Sequence, residues 1–566
     1  MNGALLLIRC LEAEGVLEAW GYPGGAIMPV YDALLESEIK HYLCRHEQGA
    51  GFAAQGQGRA TGKAGVCIAT SGPGATNLVT AIADAQMDSA PMVAITGQVA
   101  SHLIGTDAFQ EADVIGVTLP IVKHSWQIRS AEEIPRVVRE AFDVAERGRP
   151  GPVLIDFPKD IQVSNASGLE PISQQPVIRV EAVDDEVESA LKSMREAKQP
   201  IIYTGGGVRI AGAWPELRRL AEATNMPVVH TLQGLGGLDS NDPRCLGMLG
   251  MHGSKAANLA VQNSDLLVAI GARFDDRVTG KLDEFAPNAS IVHIDIDAAE
   301  LGKLRRAQAP VCADLAPAMD ALSRQYESGS DLSAWWAQIR SWQEEFPKRY
   351  DAPFGSIYAP RLLRDLSRRV ADDHYVCCDV GQHQMWVAQH WSFRHPRQHL
   401  TSGGLGTMGF GLPAAMGVKI AHPDAEVICV SGDGSIMMNI QELATLNRYG
   451  IGVKILLLDN SALGMVRQWQ ELFFAGRESE IDLSDNPDFE DLAKVFGLHS
   501  MVIEQAGECE DAIDEFLAHN GPVLLRAKID RLANVWPLVP PNTANHDMLD
   551  QEEEQGTTAI AGAQKR

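Results

Sequence analysis

Residues 427–439 read VICVSGDGSIMMN. The run Val427–Val430 has the β-branched, apolar look of a buried strand, and it stops abruptly at Gly432-Asp433-Gly434. A lone GDG is most often a turn. Here, however, residues 435–458 read as one helix (SIMMNIQELATLNRYG) and one strand (VKILLL), and Asp459-Asn460 follows. In a right-handed βαβ unit the carboxyl ends of both strands share one edge of the sheet. Asp433 and Asn460 are therefore expected to converge beside a helix that starts at Ser435, whose free N–H groups and dipole favour an anion. Oxygen donors next to phosphate suit Mg²⁺.

The rest of the chain repeats this logic. Its 566 residues predict several domains, and 45% hydrophobic with 22% charged residues is globular. A formal net charge of −26 repels phosphate backbones, so nucleic acid is excluded as a partner, and an anionic ligand must be met by local dipoles, basic side chains or a metal. The opening residues carry only a five-residue apolar patch, Ala4–Ile8, and read as an amphipathic helix; no stretch reaches the ~18 apolar residues of a membrane span. Nine scattered cysteines without a CxxC pair imply reduced thiols and a cytoplasmic protein. Short β-branched runs followed by Gly or Asp and a helix recur in "AGVCIATSGPGATN", "QPIIYTGGGV", "SDLLVAIGARFDD" and "DHYVCCDVG". That is the mark of an α/β fold with doubly wound parallel sheets.

GDG at one strand end with DN at the next resembles the thiamine diphosphate (ThDP) enzymes. The resemblance narrows to the acetohydroxyacid synthase (acetolactate synthase) large subunits on "GYPGGAIMPVYDAL", "CRHEQGA", "ATSGPGATN", "GTDAFQE", "MLGMHG", "GARFDDRVTGK", "VGQHQMWVAQH", "GLGTMGFGLPAA", "GMVRQWQ" and "NVWPLVPP", in that order from about residue 1 to 550. It implies two ThDP-binding folds flanking a Rossmann-like central domain. The expected division is a pyrimidine-binding domain at 1–162, a linker at 163–188, an FAD-binding domain at 189–330, a second linker at 331–356, a diphosphate and Mg²⁺ domain at 357–545, and a polar tail at 546–566.

The resemblance also implies roles, residue by residue. Asp433, Asn460 and the carbonyl of Ala462 are expected to hold Mg²⁺; Gly381, Gln382, His383, Gly432, Gly434 and Ser435 are expected at the diphosphate. Glu47, by itself a surface carboxylate, matches the glutamate that activates ThDP; the small residues after it allow close packing and burial. Pro73, Asn77 and Gln110 match first-domain cofactor contacts, and Met408, otherwise a core methionine, matches the apolar prop under the cofactor. Arg277 matches the residue that binds the second keto acid's carboxylate through its bidentate fork, against the alternative of an ion pair with Asp275 or Asp276. Trp469, otherwise a buried or interface tryptophan, matches the residue favouring an ethyl over a methyl group; Phe109, Met465 and Gly25 are expected in the same pocket and Lys159 at its entrance.

For FAD, with a structural role, the matching positions are Arg149, Gly205, Gly206, Thr231, Leu232, Gly250, Met251, His252, Gly271, Arg273, Asp275, Asp295, Ile296, Asp314 and Gln384. "TGGGV" is not a GxGxxG fingerprint, which disfavours an NAD dehydrogenase. The chain departs from the family at Ser461 and Ala462, where polar or larger residues are common, and at Gln57, where an aromatic is usual; the last puts packing beside the Glu47 helix in question.

The activity implied is decarboxylation of pyruvate and condensation of the two-carbon unit with a second pyruvate or with 2-ketobutyrate. The products are 2-acetolactate and 2-aceto-2-hydroxybutyrate, the first common step toward valine, leucine and isoleucine. A homodimer is implied as the minimum unit, since in the family the cofactor bridges two subunits, and a small regulatory subunit is a possible partner. A flavin-linked ThDP oxidase or a plain pyruvate decarboxylase shares GDG and DN without needing the RFDDRV and RQWQ segments. A non-catalytic homologue is disfavoured by the presence of Glu47, Asp433 and Asn460.

Overall fold

The computed structural model describes residues 1–174, 179–351 and 356–550. They form three six-stranded sheets in which every paired strand is parallel. The first holds β1 (Glu18–Gly21), β2 (Lys40–Leu43), β3 (Gly65–Ala69), β4 (Met92–Gln98), β5 (His124–Gln127) and β6 (Pro152–Pro158), in the order 2-1-3-4-6-5. The second holds β7 (Pro200–Thr204), β8 (Val228–His230), β9 (Cys245–Met248), β10 (Leu266–Ile270), β11 (Ser290–Asp295) and β12 (Ala309–Cys312), in the order 12-11-10-7-8-9. The third holds β13 (His374–Cys378), β14 (His399–Thr401), β15 (Glu426–Gly432), β16 (Lys454–Asp459), β17 (His499–Ile503) and β18 (Val523–Lys528), in the order 14-13-15-16-18-17.

Counted within each sheet, the first and third share one strand order, a kinship that periodicity in the sequence does not reveal. The second has the 3-2-1-4-5-6 order of dinucleotide-binding folds. β3, β4, β6, β10, β13 and β16 are buried throughout, as strands covered on both faces must be.

The first and third sheets share a core. Helix Glu47–Thr61 lies against helix Gly411–Ala421 so closely that a Cβ on Gly417 would overlap the Ala53 carbonyl oxygen. The Glu47 helix stops at Gly62, whose φ of 81° provides a left-handed cap. Gln57 on this helix replaces an aromatic contact with hydrogen bonds: its Oε1 accepts from the Trp20 indole at 2.9 Å and its Nε2 donates to Glu18 at 2.9 Å.

The middle unit reaches beyond the limits expected from sequence. Helix Asp184–Glu196 buries Val187 and Leu191 in its core, and helix Ser333–Glu345 buries Trp335 and Ile339 there. Gly, Ser and Pro in the flanking segments suggest linkers, but apolar side chains at helical spacing dock both helices on the sheet. Within the tail expected from 546, Met548 is buried and Leu549 bridges Leu538; residues 551–566 lie outside the described residues. Among the described residues no helix is long and apolar enough to cross a membrane.

Candidate functional site

Gly432 and Leu458 are register partners on adjacent strands, so Asp433 and Asn460 leave the same edge of the third sheet. Their oxygens converge. Asp433 Oδ2 and Asn460 Oδ1 accept from one donor, the Ala462 N–H, at 3.1 and 3.2 Å. Asn460 is itself held, its Nδ2 donating to Gln382 Oε1 at 3.2 Å. Burial, then the neighbouring Asp459, pushes the Asp433 carboxyl up to about 8; Asp459 is paired with Arg526 at 2.6 Å. A buried carboxylate, an amide oxygen and nearby backbone carbonyls form the hard donor set that Mg²⁺ takes with phosphate. Among the described residues no three His, Cys, Asp or Glu side chains cluster as a metal site of another type.

A cavity of about 80 Å³ opens beside these oxygens, lined by residues including Gly381–His383, Met408, Gly432–Ser435, Asn460, Ala462 and Met465. A Cβ on Gly432 would come within 2.9 Å of His383 Nδ1, so glycine leaves room for that ring. His383 is buried, its pKa lowered to about 3 by burial, and its Nε2 has no hydrogen-bond partner among the described residues. A buried neutral imidazole with an orphaned nitrogen leaves one polar atom for a ligand group to satisfy. The residues present thus fit Mg²⁺ and a diphosphate.

One expectation here is corrected. No α-helix starts at Ser435; the chain makes 3₁₀ turns at Ile436–Met438 and Ile440–Glu442, and the α-helix is Leu443–Tyr449. Asn439 breaks the run because its Nδ2 donates to the Gly409 carbonyl at 2.8 Å, tying the segment to the Met408 loop. An anion placed here would meet the backbone and side chains of the turn rather than the dipole of a long helix. Ser461 takes a left-handed φ of 53°, unfavourable for serine, and is steadied by its N–H donating to Asp459 at 2.8 Å.

Glu47 opens its helix, 9% exposed, with His46 as N-cap, and its Oε2 accepts from Asn77 Nδ2 at 2.9 Å. Pro73 begins the helix Pro73–Asn77 that presents Asn77. Glu47 does not line the diphosphate cradle of its own chain. Phe109 is 89% exposed, Gln110 has a φ of 59°, and Gly25 and Lys159 are also exposed; none of the four lines a cavity with Trp469 within one chain.

A second cavity, about 1070 Å³, lies against the carboxyl edge of the middle sheet. Arg149, Gly205, Gly206, Thr231, Leu232, Met251, His252, Gly271, Arg273, Asp275, Asp295, Ile296, Asp314 and Gln384 all line it. Gly250 does not; it packs behind Arg277, where a Cβ would stand 2.5 Å from the Arg277 carbonyl oxygen. Size, glycine edge and strand order fit a dinucleotide such as FAD. Arg149 pairs with Glu300 at 2.8 Å and Asp297 at 3.2 Å, and burial raises Asp295 to about 6.

Arg277 and Trp469 also line this cavity and touch each other, the guanidinium 6.0 Å from the ring centroid. Asp276 is a weak partner for Arg277 at 3.8 Å, both side chains being largely exposed. Met465, one helical turn before Trp469 on helix Gly464–Phe473, lines both the cradle and the large cavity and joins the two.

Sequence reasoning misses several polar residues. Arg59 is buried and ties three sheets together through Asp88 (3.2 Å), the Thr401 carbonyl (2.8 Å) and Gln233 (2.7 Å). Arg209, on the large cavity's lining, is buried with Nε and Nη2 unpartnered among the described residues. Glu442 is wholly buried. None carries a motif; only tertiary contact marks them.

Comparison with known proteins agrees with this architecture. Family models match for the thiamine pyrophosphate enzyme N-terminal TPP binding domain over residues 1–117, the central domain over 187–322 and the C-terminal TPP binding domain over 379–527. The acetolactate synthase isozyme 2 large subunit of Escherichia coli (strain K12) is 55% identical over 551 residues, covering 97% of this chain and 100% of that protein. The acetolactate synthase large subunit of Parasynechococcus marenigrum (strain WH8102) is 48% identical over 97% of this chain and 91% of its own. The isozyme 1 large subunit of Escherichia coli (strain K12) is 45% identical over 97% and 98%. On this similarity, spread over three thiamine pyrophosphate enzyme domains, the chain belongs to the acetolactate synthase large-subunit family.

Proposed function

We propose that the protein joins the two-carbon unit of pyruvate to a second pyruvate or to 2-ketobutyrate, giving 2-acetolactate or 2-aceto-2-hydroxybutyrate, the entry to branched-chain amino acids. It is a ThDP-dependent enzyme of the acetohydroxyacid synthase type. Bound ThDP supplies the carbon nucleophile and the electron sink for loss of CO₂.

The chain's own residues do the rest. Asp433, Asn460 and the Ala462 carbonyl would hold Mg²⁺; Gly381–His383 and Gly432–Ser435 would hold the diphosphate. Glu47, oriented by Asn77, would hydrogen-bond the pyrimidine ring and steer the proton transfer that activates the cofactor. Pro73 and Gln110 would line the same end, and Met408 would prop the cofactor from below. Arg277 would bind the acceptor carboxylate, and Trp469 with Met465 would bound its alkyl group. FAD would fill the 1070 Å³ cavity as a structural group.

A homodimer is the working unit in this reading. It is supported by Glu47 lying outside its own chain's cradle and by Phe109 standing 89% exposed. Phe109, Gln110, Gly25 and Lys159 would then complete the partner's site. That the relatives are named large subunits motivates a small regulatory partner. All nine cysteines are free, which supports the reducing cytoplasm.

The observation that carries the carboligase reading over a decarboxylase or oxidase is the Arg277–Trp469 pair, drawn from two domains to one cavity. Arg277→Gln is expected to lower acetolactate formation by ~10–100-fold, the worth of ~1.5–3 kcal/mol for bonds to a charged group. Release of CO₂ from pyruvate should continue in that variant. Equal loss of both rates contradicts an acceptor-binding role.

A further inference from the structure

We propose that Glu442 is a positioning residue for Glu47, fixing from the third domain the loop that delivers it. The proposal rests on the reading above that Glu47 activates the cofactor. The loop Leu43–His46 joins β2 to the Glu47 helix, and two of its backbone N–H groups go to one carboxylate oxygen. Arg45 N donates to Glu442 Oε1 at 2.9 Å and His46 N at 3.1 Å. Oε2 accepts from Thr445 Oγ1 at 2.6 Å, which locks the carboxylate plane. Gly49 lets the approach happen: a Cβ there would lie 2.6 Å from Glu442 Oε1. At the end of β2, Leu43 N donates to Tyr449 Oη at 2.9 Å, one further clamp from the same third-domain segment.

Glu442 is 0% exposed, and burial raises its pKa. A carboxylate so placed is costly unless every lone pair is used. A packing role alone asks for no buried acceptor oxygen. Its bonds are spent on the residues immediately before Glu47, and it stands nine residues beyond Asp433 at the end of the turns leading from the cradle. With its N-cap held, the Glu47 helix cannot rotate or fray at the end that carries the carboxylate.

The full-length enzyme with ThDP, Mg²⁺ and FAD tests this through Glu442→Gln and Glu442→Asp. Glutamine keeps an oxygen for both amides and can donate its NH₂ to Thr445. Aspartate keeps the charge but is one methylene too short. Two readouts are followed in each: deuterium uptake by the amides of residues 43–48, and exchange of the cofactor's C2 proton for deuterium by proton NMR.

Glu442→Asp is expected to lose amide protection and slow C2 exchange and kcat by ~10–100-fold, with KM for pyruvate within twofold of the parent. Glu442→Gln is expected to stay within threefold on both readouts. Parental C2 exchange in folded Glu442→Asp, or a Glu442→Gln as slow as it, overturns the proposal. Should Glu442→Asp not fold, Tyr449→Phe carries the test, with a several-fold slower exchange expected and an unchanged rate overturning it. Glu47→Gln is the control: unchanged C2 exchange there overturns the role of Glu47 and the proposal together, whereas a loss confined to Glu47→Gln overturns only the role of Glu442.

Discussion

The guanidinium carbon of Arg277 stands 6.0 Å from the centroid of the Trp469 ring. One residue comes from the short helix Asp276–Thr279 that follows β10 in the middle domain, the other from a helix of the third domain. The cation–π contact steadies both long side chains at the cavity lining. A cationic and an apolar side chain are thus set side by side, as the proposed acceptor's carboxylate and alkyl group would need.

On the proposed function, selectivity between the two acceptors would rest on that apolar wall. Trp469→Leu is expected to reduce the preference for 2-ketobutyrate over pyruvate by ~10-fold or more, since one methylene in an apolar pocket is worth ~1–3 kcal/mol. Competition between the two keto acids, with both products quantified, reads this out. An unchanged ratio removes Trp469 from the selectivity role.

The cradle predicts a second result. In Gly432→Ala the new methyl meets His383 Nδ1 at 2.9 Å, and the imidazole must shift or the strand end must move. Such overpacking costs ~1–3 kcal/mol, so ThDP affinity is expected to fall ~10–100-fold, measured by calorimetric titration with Mg²⁺ in excess. Parental affinity would show that the His383 ring does not define the diphosphate cradle.

These residues differ in how legible they were. Asp433 and Asn460 could be placed together because strand, helix-like spacer and strand fix their edge of the sheet. The spacer is less legible, since a helical spacing cannot show that Asn439 is drawn to Gly409 and breaks the α-helix into 3₁₀ turns. Glu442 in IQELATL carries no mark of burial; amides 45 and 46, which it accepts from, are far away in sequence. The ends of the middle unit were lost for a similar reason, as Trp335 and Ile339 show their burial only against the sheet.

Asp156 gives a pH signature. It is buried on β6, accepting from Thr96 (3.1 Å), Gln98 (3.2 Å) and Gln127 (3.0 Å), and burial raises it from 3.8 to about 6. A folded-state pKa above the unfolded one means that its contribution to stability is full below about pH 4 and is lost as pH rises through about 6. The loss is on the order of 3 kcal/mol. Asp156→Asn is expected to lack it, so the variant should gain on the parent between pH 4 and pH 7 in denaturant unfolding. A difference that does not vary with pH contradicts the assignment.

The central claim is that one site, built from Glu47, the Asp433–Asn460 cradle and the Arg277–Trp469 pair, makes a carbon–carbon bond. The most direct measurement is product identification after incubating the purified protein with pyruvate, ThDP, Mg²⁺ and FAD, with and without 2-ketobutyrate, beside Glu47→Gln. The predicted result is 2-acetolactate from pyruvate alone and 2-aceto-2-hydroxybutyrate when 2-ketobutyrate is added, with turnover in Glu47→Gln lower by ~100-fold or more. Acetate or acetaldehyde as the product, or normal turnover in Glu47→Gln, would contradict it.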